Sequence, residues 1–348
     1  RTNESIVYFL SQKNNKRIVL TTSIIFDVIS TIFLSFVVVC CISLVRSSID
    51  GMSSISDSYL ILGVLINIPL LLSKSLMGFL NFKENFILFN LIAILPIISK
   101  VLIVYTVGPI DIPGIITLVF IINLIYGLFC LLYTLFQISF KLKIEKIFFK
   151  SFFSFSYKTF LSTMLKSLHE NSDKILVNIF LGNTYVGILD ILQKILRLSR
   201  VFINPISTIL LPKLSKDFKS NTKINFKDIF KTSLFLSLII LVVSPLILIA
   251  KKPIFMALGL SLDSINNYLL ALFLSIGFSK SFSWWVRTLP LAVGKPEVSI
   301  WTNVIQVFFI NICYVLLIPH LGLYGVGFTM FLMPFISMLF VYHQLKKQ

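Results

Sequence analysis

The feature that most limits what this chain can fold into is a series of apolar runs, separated by connections in which lysine recurs on every second one. A helix needs about 20 mostly apolar residues to cross a hydrocarbon layer of about 30 Å. Ten segments meet or approach that length, at residues 24–45, 59–73, 86–107, 112–136, 153–181, 185–211, 230–250, 268–292, 298–318 and 323–342, the second being the shortest. Strands of a membrane barrel would alternate apolar and polar positions over about ten residues. These runs are continuous, so the pattern predicts helices. Composition agrees: 57% of residues are hydrophobic, 13% are charged and the mean hydropathy is +0.95, whereas roughly a quarter of a soluble domain is charged. The expected fold class is all-α, a polytopic membrane bundle of about ten transmembrane helices.

Charge in the connections sets an orientation. With a cytoplasmic N-terminus, the inner side holds Arg1, Lys13, Lys16, Arg17, Lys74, Lys83, Lys141, Lys143, Lys146 and Lys150, then Lys213, Lys216, Lys219, Lys223, Lys227, Lys231, Lys295, Lys346 and Lys347. The outer side holds only Arg46, Lys251 and Lys252. Both termini of the chain are therefore expected in the cytoplasm, with the spans in the cytoplasmic membrane. The net charge of +17 does not mark a nucleic-acid binder, because the lysines are interleaved with spans and form no single soluble face. A basic connector at 137–150 divides the chain into a first lobe of four helices (1–145) and a second of six (146–348). Cys40, Cys41, Cys130 and Cys313 lie in apolar runs without metal-ligand spacing and read as buried free thiols.

Ionisable groups at the centre of a membrane helix cost roughly 2.5–3.5 kcal/mol each, so they persist where something needs them. The first four spans hold little beyond Asp27 and Lys100. The fifth holds Lys158, Lys166, His169, Glu170, Asp173 and Lys174; the sixth holds Asp190, Lys194, Arg197 and Arg200; the eighth holds Lys280 and Arg287. Lys166, Glu170 and Asp173 share one helical face, Asp190, Lys194 and Arg197 repeat that spacing, and Lys280 and Arg287 stand two turns apart. The same spacing suits structural pairs such as Lys166–Glu170 and Asp190–Lys194, and Lys174, Arg200 and Arg287 could snorkel to the interface. As a group, however, the cations outnumber the carboxylates, and a surplus of Lys and Arg suits an anionic ligand, phosphate above all. Pro205, Pro245 and Pro290 lie in or near spans and could serve as hinges. The chain has no phosphate-binding G-x-x-x-x-G-K-[ST] loop, no zincin spacing after His169-Glu170 and no G-x-S-x-G elbow. No catalytic residue, metal site or cofactor is expected.

The stretch N-S-D-K-I-L-V-N-I-F-L-G-N-T-Y-V-G at 171–187 resembles the seventh helix and following turn of the polysaccharide exporters, the Wzx-type O-antigen flippases of the multidrug/oligosaccharidyl-lipid/polysaccharide exporter superfamily. S-T-I-L-L-P-K-L-S at 207–215 is similar to the end of that family's eighth helix, and L-G-L-Y-G-V-G at 321–327 to the turn before its last. Leu189 stands where the family has Tyr. The family has about twelve helices in two six-helix lobes. Residues 1–17 look like the segment before its third, so the resemblance implies a fragment carrying helices 3–12.

The resemblance also implies a function: flipping a polyprenyl-diphosphate-linked oligosaccharide, an O-antigen or exopolysaccharide repeat unit, across the membrane by alternating access around a cationic cavity. Lys158, Lys166, Lys194, Arg197, Lys280 and Arg287 are the candidate substrate contacts, with Asp173 and Asp190 as candidates for ion coupling or charge balance. The implied partners are the lipid-linked oligosaccharide, membrane lipids and a polysaccharide polymerase, with no nucleic acid. The competing readings are another exporter of the superfamily, for drugs or a peptidoglycan precursor, and a membrane polysaccharide polymerase or ligase.

Overall fold

A backbone amide placed in hydrocarbon has no water to bond, so a spanning segment must satisfy its own amides, and a continuous apolar run does this as a helix. A computed structural model describes residues 2–12, 15–46, 57–107, 112–139, 143–220, 226–253 and 265–346. Arg1, Lys13, Lys141, Lys223 and Lys347 lie outside the described residues, as do the side chains of Cys41, Arg46, Arg200, Pro205 and Lys219. Among those described there are thirteen α-helices: α1 (Thr2–Ser11), α2 (Lys16–Arg46), α3 (Asp57–Leu65), α4 (Lys74–Phe82), α5 (Phe86–Val107), α6 (Ile112–Gln137), α7 (Lys146–Leu181), α8 (Asn183–Ser220), α9 (Phe226–Ile249), α10 (Asn267–Phe282), α11 (Trp285–Ala292), α12 (Pro296–Leu321) and α13 (Leu323–Lys346). A 3₁₀ segment, Ile68–Ser73, joins α3 to α4.

Seven described segments are long and apolar enough to cross a membrane: Lys16–Cys40, Ile61–Phe82, Gly114–Gln137, Phe226–Ile249, Asn267–Ala292, Pro296–Leu321 and Leu323–Lys346. Helix α5 supplies a shorter apolar stretch, Phe86–Leu102. The two longest helices, α7 and α8, are the charged ones. Together these account for the ten spans of a multi-pass, all-α membrane protein.

Two spans differ from their sequence outline. The second runs on to Phe82, because Pro69 opens a 3₁₀ stretch that leads straight into α4. Lys74, assigned from sequence to a connection, thus begins α4 inside the span and is half-buried. The eighth is broken at Ser283–Trp284, so Lys280 and Arg287 sit on separate helices, α10 and α11, and do not share one continuous face. Of the cysteines expected to be buried, Cys130 is buried, Cys313 is half-buried and Cys40 is exposed on α2. In a lipid-facing helix an apolar thiol has no need of a protein cover.

The contacts form two compact units, Arg1–Ser156 and Tyr157–Gln348. In the first, α1 packs on α4 and α2, and the 3₁₀ segment packs on α6 and α2. Its core gathers Ile6, Leu10, Val19, Leu20, Phe79 and Phe152. The carboxyl of Asp27 is sealed in this unit, accepting from Thr2 Oγ1 at 2.5 Å and from the Ser75 amide at 2.9 Å. In the second unit α10 is the hub, packed by α8, α9 and α13, while α12 and α13 form a hairpin. Outward-facing residues are as apolar as the core, for example Phe33 and Phe36 on α2 and Phe308 and Leu316 on α12. That inversion suits a lipid solvent.

Gly127 lets α6 touch the 3₁₀ segment: a Cβ there would stand 2.3 Å from the Pro69 carbonyl oxygen. Gly127→Ala is expected to cost about 1–3 kcal/mol through overpacking. Gly63→Ala, with nothing within 4 Å of its added Cβ, is expected to be neutral or slightly stabilising, as Ala favours a helix. Thermal unfolding in detergent micelles checks the pair, with Gly127→Ala melting lower.

Candidate functional site

The charged stripe of the second unit rests on a hairpin with a one-residue turn. Helix α7 ends at Leu181, α8 begins at Asn183, and Gly182 between them has φ +90°, a conformation that side chains with a Cβ rarely adopt. Its amide bonds back to the Asn178 carbonyl at 3.0 Å and closes α7. A turn this tight makes the two helices antiparallel in a fixed register, so residues equally distant from Gly182 face one another. Lys174 and Asp190 are such a pair, with Nζ 2.6 Å from Oδ1. Asp173 and Gln193, nine and eleven residues from the turn, also meet: Gln193 Nε2 donates to Asp173 Oδ2.

Asp190 is shared. Lys194, one turn further along α8, lies 3.0 Å from its Oδ2. Two ammonium groups therefore sit on one carboxylate. Arg197 follows on the same face, exposed, and makes no hydrogen bond or ion pair among the described residues. The face of α8 that begins with Asp190 thus carries a net positive charge.

Helix α7 meets α12 along a second polar line. Lys158 pairs with Glu297, and Asn303 Nδ2 donates to the Ser162 carbonyl at 2.7 Å and to its hydroxyl at 2.8 Å. Farther along, Tyr314 on α12 lies within electrostatic reach of Asp173. Residues 158, 162, 166, 169 and 173 recur at helical spacing, so one face of α7 is polar for about 22 Å, most of the hydrocarbon depth. On that face Lys166 pairs with Glu170 at 3.7 Å, and Lys280 from α10 acts electrostatically on both His169 and Asp173.

Of the residues singled out from sequence, Lys166, Asp173 and Lys280 thus come into one electrostatic group, and Asp190, Lys194 and Arg197 line the adjoining helix. Lys158 lies about a third of the way along α7 and has its own partner in Glu297. Arg287, beyond the break, is half-buried in the first turn of α11. Sequence reasoning missed Gln193, Glu297, Asn303 and Tyr314. Gln193 and Asn303 are neutral and do not register as membrane charges, while Glu297 was passed over because it sits at a helix start. Tyr314 reads as one more aromatic in an apolar run.

Asp173 is fully buried, and two groups near it lack partners: His169 Nε2 and Tyr314 OH have no hydrogen bond among the described residues. An enclosed polar group without a partner costs about 1–3 kcal/mol. The surroundings of Asp173 therefore keep unspent polar capacity next to a cationic stripe, whereas the Thr2 hydroxyl and the Ser75 amide are spent on Asp27.

A family model described as polysaccharide biosynthesis protein matches residues 2–218. Over 200 residues the chain is 26% identical to the capsular polysaccharide biosynthesis protein CapF of Staphylococcus aureus, covering 57% of this chain and 50% of that one. The match thus spans about half the length of this curated relative. A multidrug resistance MATE family transporter of the MOP superfamily, solved outward-facing, is similar with a TM-score of 0.79 at 17% identity, over 100% of this chain and 84% of that one. A MOP superfamily transporter from Pyrococcus furiosus, described by the reverse polarity of its binding pocket, is similar with a TM-score of 0.77 at 13% identity, over 99% of this chain and 82% of that one. At these identities the likeness is one of fold, and the architecture is that of the MOP exporters.

Gln193→Leu leaves Oδ2 of the buried Asp173 without its donor, while Oδ1 keeps the Lys174 amide, and is expected to cost about 1–3 kcal/mol. Replacing both partners, as Asp173→Leu with Gln193→Leu, should recover part of that loss, because no polar group is then left behind. Melting temperatures of the single and double variants in micelles test this; a double variant no more stable than the single would show that the pair is not coupled.

Proposed function

The chain belongs to the polysaccharide biosynthesis protein family, and from that premise we propose that it carries a polyprenyl-diphosphate-linked oligosaccharide across the cytoplasmic membrane by alternating access. The observation that carries the reading is the arrangement on α8, where Asp190 is already shared by Lys174 and Lys194 while the exposed Arg197 has no hydrogen bond or ion pair among the described residues. A positive face on a membrane helix is costly unless an anion visits it. A diphosphate supplies the charge and the oxygens: Arg197 meets it through its planar fork and Lys194 as a point charge. Lys166, Lys280 and Arg287 extend the cationic lining, Lys158 serves where the substrate enters, and Asp173 and Asp190 keep the cations balanced when the substrate has left or couple the cycle to an ion.

In this reading the lysine-rich connections face the cytoplasm, and both termini of the chain lie there. The substrate's polyprenyl tail stays in lipid while its polar head crosses, so translocation requires neither bond making nor bond breaking. A polysaccharide polymerase would take up the delivered repeat unit. Exporters of organic cations need acidic linings, and the positive excess on α8 favours an anionic cargo instead.

The test is transport by the full-length protein in proteoliposomes loaded with a fluorescent polyprenyl-diphosphate oligosaccharide. Arg197→Ala and Lys194→Ala should each lower the rate about tenfold or more at equal folded amount, since a hydrogen bond to a charged group contributes about 1.5–3 kcal/mol. Arg197→Lys should recover part of the loss. Elongation of the glycan without translocation would instead identify a polymerase, and movement of lipophilic cations alone a drug exporter.

A further inference from the structure

At the end of the second unit away from the Gly182 turn, a basic surface is built around an aromatic cluster. Helix α8 has 38 residues, so Lys213 lies about 45 Å along it, roughly the thickness of a bilayer with its headgroups. The last turns of α8 must therefore leave the hydrocarbon. They do not peel away: Leu210, Leu214 and Phe218 pack on a cluster that includes Ile229 of α9, Trp285 and Leu289 of α11, and Val341 and Leu345 of α13. Phe226 stacks edge-on against Tyr342 at 4.8 Å and Trp285 at 6.1 Å, tying the start of α9 to the end of α13.

Lysines ring this cluster. Lys213 and Lys216 on α8, Lys227 and Lys231 on α9, and Lys346 on α13 are all exposed, and Lys295 stands half-buried before α12. Lys346 holds its ammonium 5.5 Å from the centre of the Tyr342 ring. Against these six stand Asp217 and Asp228, while Glu297 is taken up by Lys158. Four separate helix ends thus deliver the same sign of charge to one place, over a floor of rings.

We propose that this surface binds the headgroups of anionic phospholipids. Three features select a lipid over a soluble partner. The depth along α8 places the ammonium groups at headgroup level. The lysine stems can lie along apolar side chains while their ends meet phosphate. The aromatic floor is of the kind that settles at a membrane interface. A bound phospholipid would bridge α8, α9 and α13 and hold the cytoplasmic ends of the unit together. The inference needs no particular cargo, and its failure would leave the proposed transport untouched.

The experiment compares association of spin-labelled phosphatidylglycerol and phosphatidylcholine with the full-length protein in phosphatidylcholine vesicles at low salt. Wild type should prefer phosphatidylglycerol severalfold, and added salt should weaken the preference. The combined variant Lys213→Gln, Lys227→Gln, Lys231→Gln should lower it at least about threefold, given the strength of lysine–headgroup attraction. Lys252→Gln, beyond the opposite end of α9, should leave it unchanged. All three positions of the combined variant are exposed, and an unchanged melting temperature would confirm folding. Equal association of the two lipids with wild type, or full preference retained by the combined variant, would overturn the proposal, as would an equal drop in Lys252→Gln.

Discussion

Hydrocarbon offers a polar group nothing to bond with, and most of what this structure does follows from that deficit. The backbone answers it with helices. The side chains answer it by pairing across helices, because a charge left facing lipid costs several kcal/mol. Asp27 is met by Thr2 and Ser75 from two other helices, Lys158 by Glu297, and Lys174 by Asp190. These contacts supply direction that apolar packing lacks. Leucine against leucine tolerates sliding, whereas a carboxyl with fixed donors does not. Polar pairs thus set which helix faces which, and apolar contacts fill in around them.

Register comes from the turns. Gly182 and Gly322 each join two long helices through a single residue with positive φ, and each amide bonds back into the helix it closes. Such a connection cannot lengthen or slip without breaking that bond. On the α7–α8 hairpin the consequence reaches the site: moving the turn by one residue would rotate Asp173 away from Gln193 and Lys174 away from Asp190. The L-G dipeptides at 181–182 and 321–322, part of the stretches that resemble the exporter family, therefore have a mechanical reason to be there.

Much of this was legible in the sequence, since length and continuity of apolar runs decide helices in lipid. The stripe on α7 and the spacing of Asp190, Lys194 and Arg197 followed from helical periodicity alone. What escaped has a common cause: it depends on partners distant in sequence. The break at Ser283–Trp284 hides in an apolar run with no proline at the break itself, since Pro290 lies several residues later. The continuation of the second span through Lys74 defied the rule that a lysine marks a connection, because Pro69 tightened the helix into a 3₁₀ turn instead of ending it. Gln193 and Tyr314 carry no charge, and only the fold reveals that one bonds the buried Asp173 and the other lies near it.

The two buried carboxylates, Asp27 and Asp173, sit in different surroundings, and that difference bears on the proposed mechanism. Around Asp27 the neighbouring donors are committed, and such a network favours one arrangement. Around Asp173 an imidazole nitrogen and a phenol lack partners while a positive face lies alongside. Stability alone would fill or remove such groups, since each costs about 1–3 kcal/mol. Violations of local consistency of this kind are expected at functional sites. In the proposed transport cycle the protein must be able to leave each of its states, and a site with every polar group satisfied in one state would be trapped there. Partners withheld around Asp173 are available to an ion, a substrate or a second arrangement of the same helices, so incomplete satisfaction there suits the cycle of binding and release that the proposed function calls for.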